Sequence, residues 1–308
     1  MISRRNIRVK VMQTLYTLIS LEDNIKEDEP LKLLQKHFDQ SKDLFQYILY
    51  FLTELGSYAE TYSFSKSNKH LPTAEDLNIN TKIAGNEILW KIKEEPLIKA
   101  EWNKSRPEYK IDKELLKKLY VQLIQTEEFK KYIDTPSRDK KAEKEIIDFI
   151  FEQFLLPNEL FVNHLEENFS NWDDDSEMVV QLIKNYLQKP AQSDLQHFIS
   201  QDKLLFARNL LKTATEKNEH LESFILPKLK NWDAERLAAL DMILMKMGIA
   251  EFLFFDTIPP KVTINEYIEL AKDYSTAQSG QFVNGILDNI HKELVQQNKL
   301  HKVAFKKA

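Results

Sequence analysis

The chain has 308 residues and a formal net charge of −5, with 43% hydrophobic and 30% charged residues. That balance excludes a disordered, charge-dominated chain and fits a globular one, of one large or two ordinary domains. The absence of cysteine excludes disulfides, thiolate metal sites and thiol nucleophiles together.

Only 5 glycines interrupt long stretches of helical periodicity, so the fold class expected is all-α. No apolar run approaches the roughly 18 residues of a membrane span. The N-terminus carries arginines but no apolar core of an export signal, so a cytoplasmic location is expected. The first 21 residues hold Arg4, Arg5, Arg8 and Lys10 and no acid. Ile7, Val11, Leu15 and Leu18 form a helical stripe for a core. Arg5, Val9, Met12 and Tyr16 form a second stripe, with Asn6 and Gln13 nearby. Basic and aromatic groups on one helix suit a phosphate backbone and a base to stack on.

Residues 22–30 are polar and acidic and read as a connector ending in Pro30. A long helical region follows from Leu31 to about Phe64. The segment 65–82 reads as a loop, 86–95 as a short helix stopped by Pro96, and 102–110 as irregular. Helices are predicted near 112–133, 137–156, 158–169 and 174–187, and a boundary at 189–194. They resume near 202–217, 219–230 and 233–255. Asn158-Glu159 followed by Asn171-Trp172-Asp173 is echoed by Asn218-Glu219 followed by Asn231-Trp232-Asp233, which suggests a duplicated helical unit.

Pro259 and Pro260 stop the helix before them, because proline lacks an N–H and clashes with the preceding turn. Thr263 and Glu266 have capping-box spacing, so a helix is expected to start at Thr263, with Val262 and Tyr267 stapling it. Ser279 is a good N-cap for a last helix, whose buried stripe is Val283, Leu287, Ile290 and Leu294. Gln281, Phe282, Asn284 and Gly285 at its start are not explained by caps or stripes. Glycine there costs about 1 kcal/mol against alanine, and the free N–H groups of a helix start suit an anion such as phosphate.

No Walker loop, GxGxxG, GxSxG or HExxH pattern is present. The seven histidines do not pair at helical metal-site spacing. The Asp173-Asp174-Asp175 run reads as ordinary acid enrichment in a helix's first turn. Nothing argues for catalysis, and no cofactor or metal is called for. The basic tail Lys302, Lys306 and Lys307 reads as frayed and solvated.

The segment from Trp232 to Asp288 resembles the transcription antitermination factor NusB family. The residues that carry the resemblance are Ile258 to Glu266, then Glu269-Leu270-Ala271-Lys272, then Ser279 to Leu287. The opening Arg4-Arg5-Asn6-x-Arg8 with Leu15-Tyr16 matches the family's arginine-rich first helix. The resemblance spans residues 1–22 and 203–295, and leaves 23–200 as a helical insertion to which the residues assign no role. The chain is thus read as three parts: 1–22, the insertion 23–200, and the core remainder 201–308. Asn6, Lys246 and Ala250 depart from the family pattern.

The resemblance implies two packed three-helix bundles of NusB type. It also implies binding of boxA RNA in nascent ribosomal RNA, a partnership with NusE, which also serves in the small ribosomal subunit, and assembly with elongating RNA polymerase and other Nus factors. A homodimer occurs in some members. In that frame Arg4, Arg5, Asn6, Arg8, Gln13, Tyr16, Ser279, Gln281, Phe282 and Asn284 are the expected RNA-binding residues. Arg236, Asp241 and Glu251 are the expected partner face. A NusB-like domain also precedes certain cytosine-5 RNA methyltransferases, but those need a cysteine nucleophile. The alternative kept open is a helical interaction scaffold without RNA binding.

Overall fold

A computed structural model describes residues 2–21, 26–188, 198–229 and 238–303. Among the described residues the regular elements are all helices. In chain order the α-helices are α1 (Arg4–Ser20), α2 (Glu29–Ser67), α3 (Ala74–Leu77), α4 (Glu87–Glu94), α5 (Pro96–Ser105), α6 (Lys113–Leu123), α7 (Glu127–Asp134), α8 (Lys140–Phe149), α9 (Glu159–Asn168), α10 (Trp172–Gln188), α11 (Gln201–Glu216), α12 (Asn218–Ile225), α13 (Ala239–Phe254), α14 (Pro260–Tyr274) and α15 (Ser279–Gln296). None of them is long and apolar enough to cross a membrane.

Prolines and small polar residues set many of the boundaries. Pro96 ends α4 and occupies the first turn of α5. Pro260 likewise occupies the first turn of α14, although α13 has already ended at Phe254. Proline is tolerated there because its missing N–H would have had no intrahelical partner. Helix α14 therefore begins three residues before the expected capping box. Thr263 lies inside the helix and is buried, and Val262 is exposed, so no staple forms. The predicted 112–133 helix is divided by a turn, and the Thr126 hydroxyl accepts from Phe129 N to restart it as α7. The predicted loop at 65–82 contains α3, held by a capping box between Thr73 and Asp76. Helix α5 runs through Trp102 and stops at Arg106, whose φ of 51° is left-handed.

The chain divides into two compact units, residues 1–38 with 199–308, and residues 39–198. In the first unit α1, α11 and α13 pack on one another, and α13, α14 and α15 do the same, with α12 against α11, α13 and α15. Thr14 on α1 and His37 on α2 add a hydrogen bond of 3.0 Å. The predicted stripe Val283, Leu287, Ile290 and Leu294 is buried throughout. Lys246, at a departure from the family pattern, binds Asn218 and Glu222 of α12. Ala250, at another, is fully buried.

The second unit is built on aromatic packing. Tyr47 and Phe51 of α2 meet Phe161, His164 and Phe169. Tyr58 and Tyr62 meet Tyr120, which packs edge-on to Phe129. Glu143, buried, accepts from the Tyr132 hydroxyl at 2.7 Å and from Glu87 N at 2.9 Å. The first landmark of the sequence echo becomes the α9–α10 pair; Asn231, Trp232 and Asp233 of the second lie outside the described residues.

Candidate nucleic-acid interface

The start of α1 brings four expected RNA-binding residues to the first unit, but in different settings. Ser3 caps the helix by accepting from Asn6 N at 3.2 Å. Arg4 is exposed and its guanidinium lies 5.6 Å from the centre of the Phe206 ring. Arg5 is partly exposed and pairs with Asp273 near the end of α14 at 2.6 Å. Asn6 is half-buried.

Arg8 corrects the expectation. It is 2% exposed. Its Nε donates to Glu251 Oε1 at 2.7 Å, its Nη2 to Glu251 Oε2 at 3.1 Å, and its Nη1 to Glu266 Oε2 at 3.2 Å. A guanidinium committed in this way to two carboxylates inside the core is not placed to hold a phosphate. Glu251 is fully buried and also accepts from Thr263 Oγ1 and Tyr267 Oη, both at 2.9 Å. Burial, with the Glu251 charge beside it, pushes the Tyr267 phenol well above its usual range, so it stays a donor. Glu251 therefore binds three helices together and has no surface from which to meet a partner.

The second α1 stripe is also mostly internal. Val9 and Met12 are buried, while Tyr16 is 47% exposed and Gln13 is half-buried. Tyr16 stands about 16 Å along the helix axis from Arg5 at 1.5 Å per residue.

At the other end of the sequence, Ser279 and Asp241 were expected on two different faces, yet they bond to each other. Ser279 is 1% exposed, and its hydroxyl donates to Asp241 Oδ2 at 2.8 Å and accepts from Thr276 N at 3.2 Å. Asp241 is 6% exposed, and among the described residues its Oδ1 has no hydrogen-bond partner. Ser279 is the first residue of α15 rather than its cap, and the pair anchors the start of α15 to the first turn of α13. Both are thus internal, which removes Ser279 from the RNA-facing set and Asp241 from the exposed partner face. Arg236 lies outside the described residues.

Past this anchor, Gln281, Asn284 and Gly285 are exposed and Phe282 is half-buried. A Cβ built on Gly285 meets nothing within 4 Å. No packing among the described residues therefore requires glycine at that position. The Arg5–Asp273 pair ties the α1 start to the end of α14, and the short turn with Thr276 leads from there into α15. Two terminal stretches of the sequence are in this way joined on one unit.

Two further features were missed. Lys302 is half-buried rather than solvated, and its Nζ donates to the carbonyl oxygens of Glu251 at 2.7 Å and Phe255 at 2.8 Å, closing the C-terminus of α13. Burial pushes its pKa below the usual lysine value, against the pull of Glu251 and Asp256. Lys306 and Lys307 lie outside the described residues. On the same unit a groove of about 330 Å³ is lined by Leu15, Leu18, Ile19, Met242, Ile243 and Lys246 among others.

Residues 167–292 match the family model described as NusB family. Transcription antitermination protein NusB of Chloroherpeton thalassium is 41% identical over 97 residues, which cover 32% of this chain and 46% of that protein. That of Salinibacter ruber is 41% identical over 97 residues, covering 32% and 61%. That of Methylacidiphilum infernorum is 48% identical over 83 residues, covering 27% and 58%. The chain thus spans about half the length of these relatives. A solved structure of T. maritima NusB is 31% identical, covering 45% of this chain and 89% of that one, with a TM-score of 0.31.

Proposed function

We propose, from the match of residues 167–292 to the NusB family model and the likeness to NusB proteins, that the protein is an antitermination factor that binds single-stranded boxA-type RNA of ribosomal transcripts together with NusE, and so limits premature termination by RNA polymerase. The observation that carries the reading is the Arg5–Asp273 pair, which ties the start of α1 to the end of α14, just ahead of α15 in the chain. Arg4 and Arg5 supply cations, Gln281 and Asn284 supply donors and acceptors for base edges, and Phe282 supplies a ring. Sequence-specific recognition of single strands uses that mixture. Gly285 fits the same picture, since an exposed glycine with nothing to pack on leaves room for a backbone to approach closely. Asn6 at the α1 start belongs to this set, with Gln13 and Tyr16 at its far margin.

Glu251 does not serve a protein partner in this reading. NusE is assigned instead to the apolar groove beside Ile19 and Met242. The unit formed by residues 39–198 is taken as an addition to the family core, although the family match begins inside it.

The test is a binding titration of the full chain with labelled boxA RNA, with and without NusE. Phe282→Ala is expected to weaken RNA binding by about 1–3 kcal/mol, the usual worth of a base–aromatic stack, with helix content unchanged. Wild-type affinity in a folded Phe282→Ala protein would remove Phe282 from the site. No binding by the wild-type chain, alone or with NusE, would remove the reading itself.

A further inference from the structure

The α1 arginines are each engaged within the chain. Arg8 is held by Glu251 and Glu266, Arg4 lies on the Phe206 ring, and Arg5 is paired with Asp273. The first is a core element, but the Arg5–Asp273 pair is a surface one, with side chains 36% and 52% exposed. We propose that Asp273 is an affinity-setting residue, an internal competitor that occupies Arg5 until an RNA phosphate displaces it. The inference rests on the RNA-binding reading above.

The geometry makes the competition direct. A carboxylate oxygen 2.6 Å from Arg5 Nη2 stands where a phosphate oxygen would accept the same hydrogen bond. Asp273 is not the only acid that Arg5 meets. The Glu269 carboxyl, one turn earlier on α14, is held below the usual range first by the Lys272 hydrogen bond and in part by Arg5. A strand that takes Arg5 must break the Asp273 pair and then tolerate an uncompensated carboxylate beside its own phosphate. A strand of the wrong sequence gains only the phosphate contact. A strand that also engages Phe282 and the neighbouring amides has further contacts to offset that loss. Asp273 therefore lowers affinity by a similar factor for every strand that takes Arg5, and leaves discrimination between sequences to Phe282 and the neighbouring amides.

The experiment measures the full chain, as wild type, Asp273→Asn, Arg5→Gln and the double variant, against labelled boxA RNA and a scrambled strand of equal length over a range of salt. Because the pair is exposed, its loss leaves the fold intact, which far-UV circular dichroism checks. Asp273→Asn is expected to tighten boxA binding about two- to fivefold, the scale of an exposed ion pair. It should also steepen the log–log salt slope by up to about 0.7, as one more cation becomes available to the strand, and tighten the scrambled strand by a similar factor. In the Arg5→Gln background the gain should vanish. Unchanged affinity in Asp273→Asn, or an equal gain without Arg5, would overturn the proposal while leaving RNA binding itself established. A wild-type chain that binds neither strand would overturn both.

Discussion

The Arg8–Glu251 pair makes the sharpest prediction, because it separates a structural arginine from an RNA-binding one. Glu251 accepts four side-chain hydrogen bonds, two on each oxygen, from Arg8, Thr263 and Tyr267. Glu251→Gln keeps the shape and removes the charge. Whichever way the new amide turns, its NH₂ faces one Arg8 N–H, which can only donate, and one hydroxyl, which must reverse to accept, so at least one of the four bonds fails and donor meets donor. Removing one partner of a buried pair costs about 3–5 kcal/mol. Arg8 retains Glu266, whose carboxylate is partly exposed, which places the expected loss near the lower end, about 3 kcal/mol. Urea denaturation followed by circular dichroism reads it as a fall in midpoint without a change in slope. Hydrogen exchange localises it to α1, α13 and α14, whose core amides should lose about a hundredfold of protection. Arg8→Met should cost as much, since it leaves the Glu251 charge buried and unpaired. The double variant Arg8→Met, Glu251→Met should cost less than the two single changes together, because both charges leave the interior at once. A loss below about 1 kcal/mol in Glu251→Gln would refute the reasoning. So would a folded Arg8→Met protein whose RNA salt slope has flattened, since that would make Arg8 a phosphate ligand.

Two smaller predictions follow from single positions. Gly285→Ala should raise helix stability by up to about 1 kcal/mol, as alanine replaces glycine on an open helix face with nothing for its Cβ to strike; weaker RNA binding in the same variant, measured by titration, would mark Gly285 as the place where the strand passes. In the second unit, burial lowers the pKa of His164 below its ordinary 6.5, against the pull of Asp112 and Glu167. Its Nδ1 faces the Asn168 amide and its Nε2 faces the Tyr47 hydroxyl, which donates onward to Lys110 O. The neutral ring fits that chain of bonds, with Nε2 as donor and Nδ1 as acceptor. A group whose folded pKa is lowered holds its contribution above the unfolded value and loses it as pH falls through the folded one. Stability should therefore decline as pH drops below about 6.5, and His164→Asn should flatten that part of the profile in urea melts; an unchanged profile would assign the acid sensitivity elsewhere.

Much of the fold was legible because it is local chemistry. Apolar spacing of three and four residues, prolines at helix junctions and few glycines point to helices and to the faces they bury. The misplacements have local reasons too. Thr263 and Glu266 satisfy a capping-box pattern, but Pro260 can begin the helix a turn earlier, and Thr263 is then drawn to Glu251. The Arg8 placement had a signal that charge alone concealed. Arg8, Val11, Leu15 and Leu18 repeat at three, four and three residues, a core stripe with an arginine in it. Leu240, Leu244, Met247 and Glu251 make the matching pattern on α13. An ionisable residue in a buried stripe calls for an opposite charge, and each stripe holds half of the pair.

The sequence by itself determined that this chain is helical, which residues form its stripes, and that Gln281, Phe282, Asn284 and Gly285 lie at the start of a helix and off its buried stripe. These properties depend on neighbours within a few residues, where helix geometry leaves little choice. Only the tertiary structure decided which arginine is sealed in the core and which is held at the surface, and that Ser279 and Asp241 bond to each other rather than face outward. Those outcomes depend on what stands opposite, across more than two hundred residues of chain for Arg8 with Glu251 and for Arg5 with Asp273, and across 38 for Ser279 with Asp241. Burial and pairing of a charge are set by that long-range juxtaposition, which no local spacing encodes.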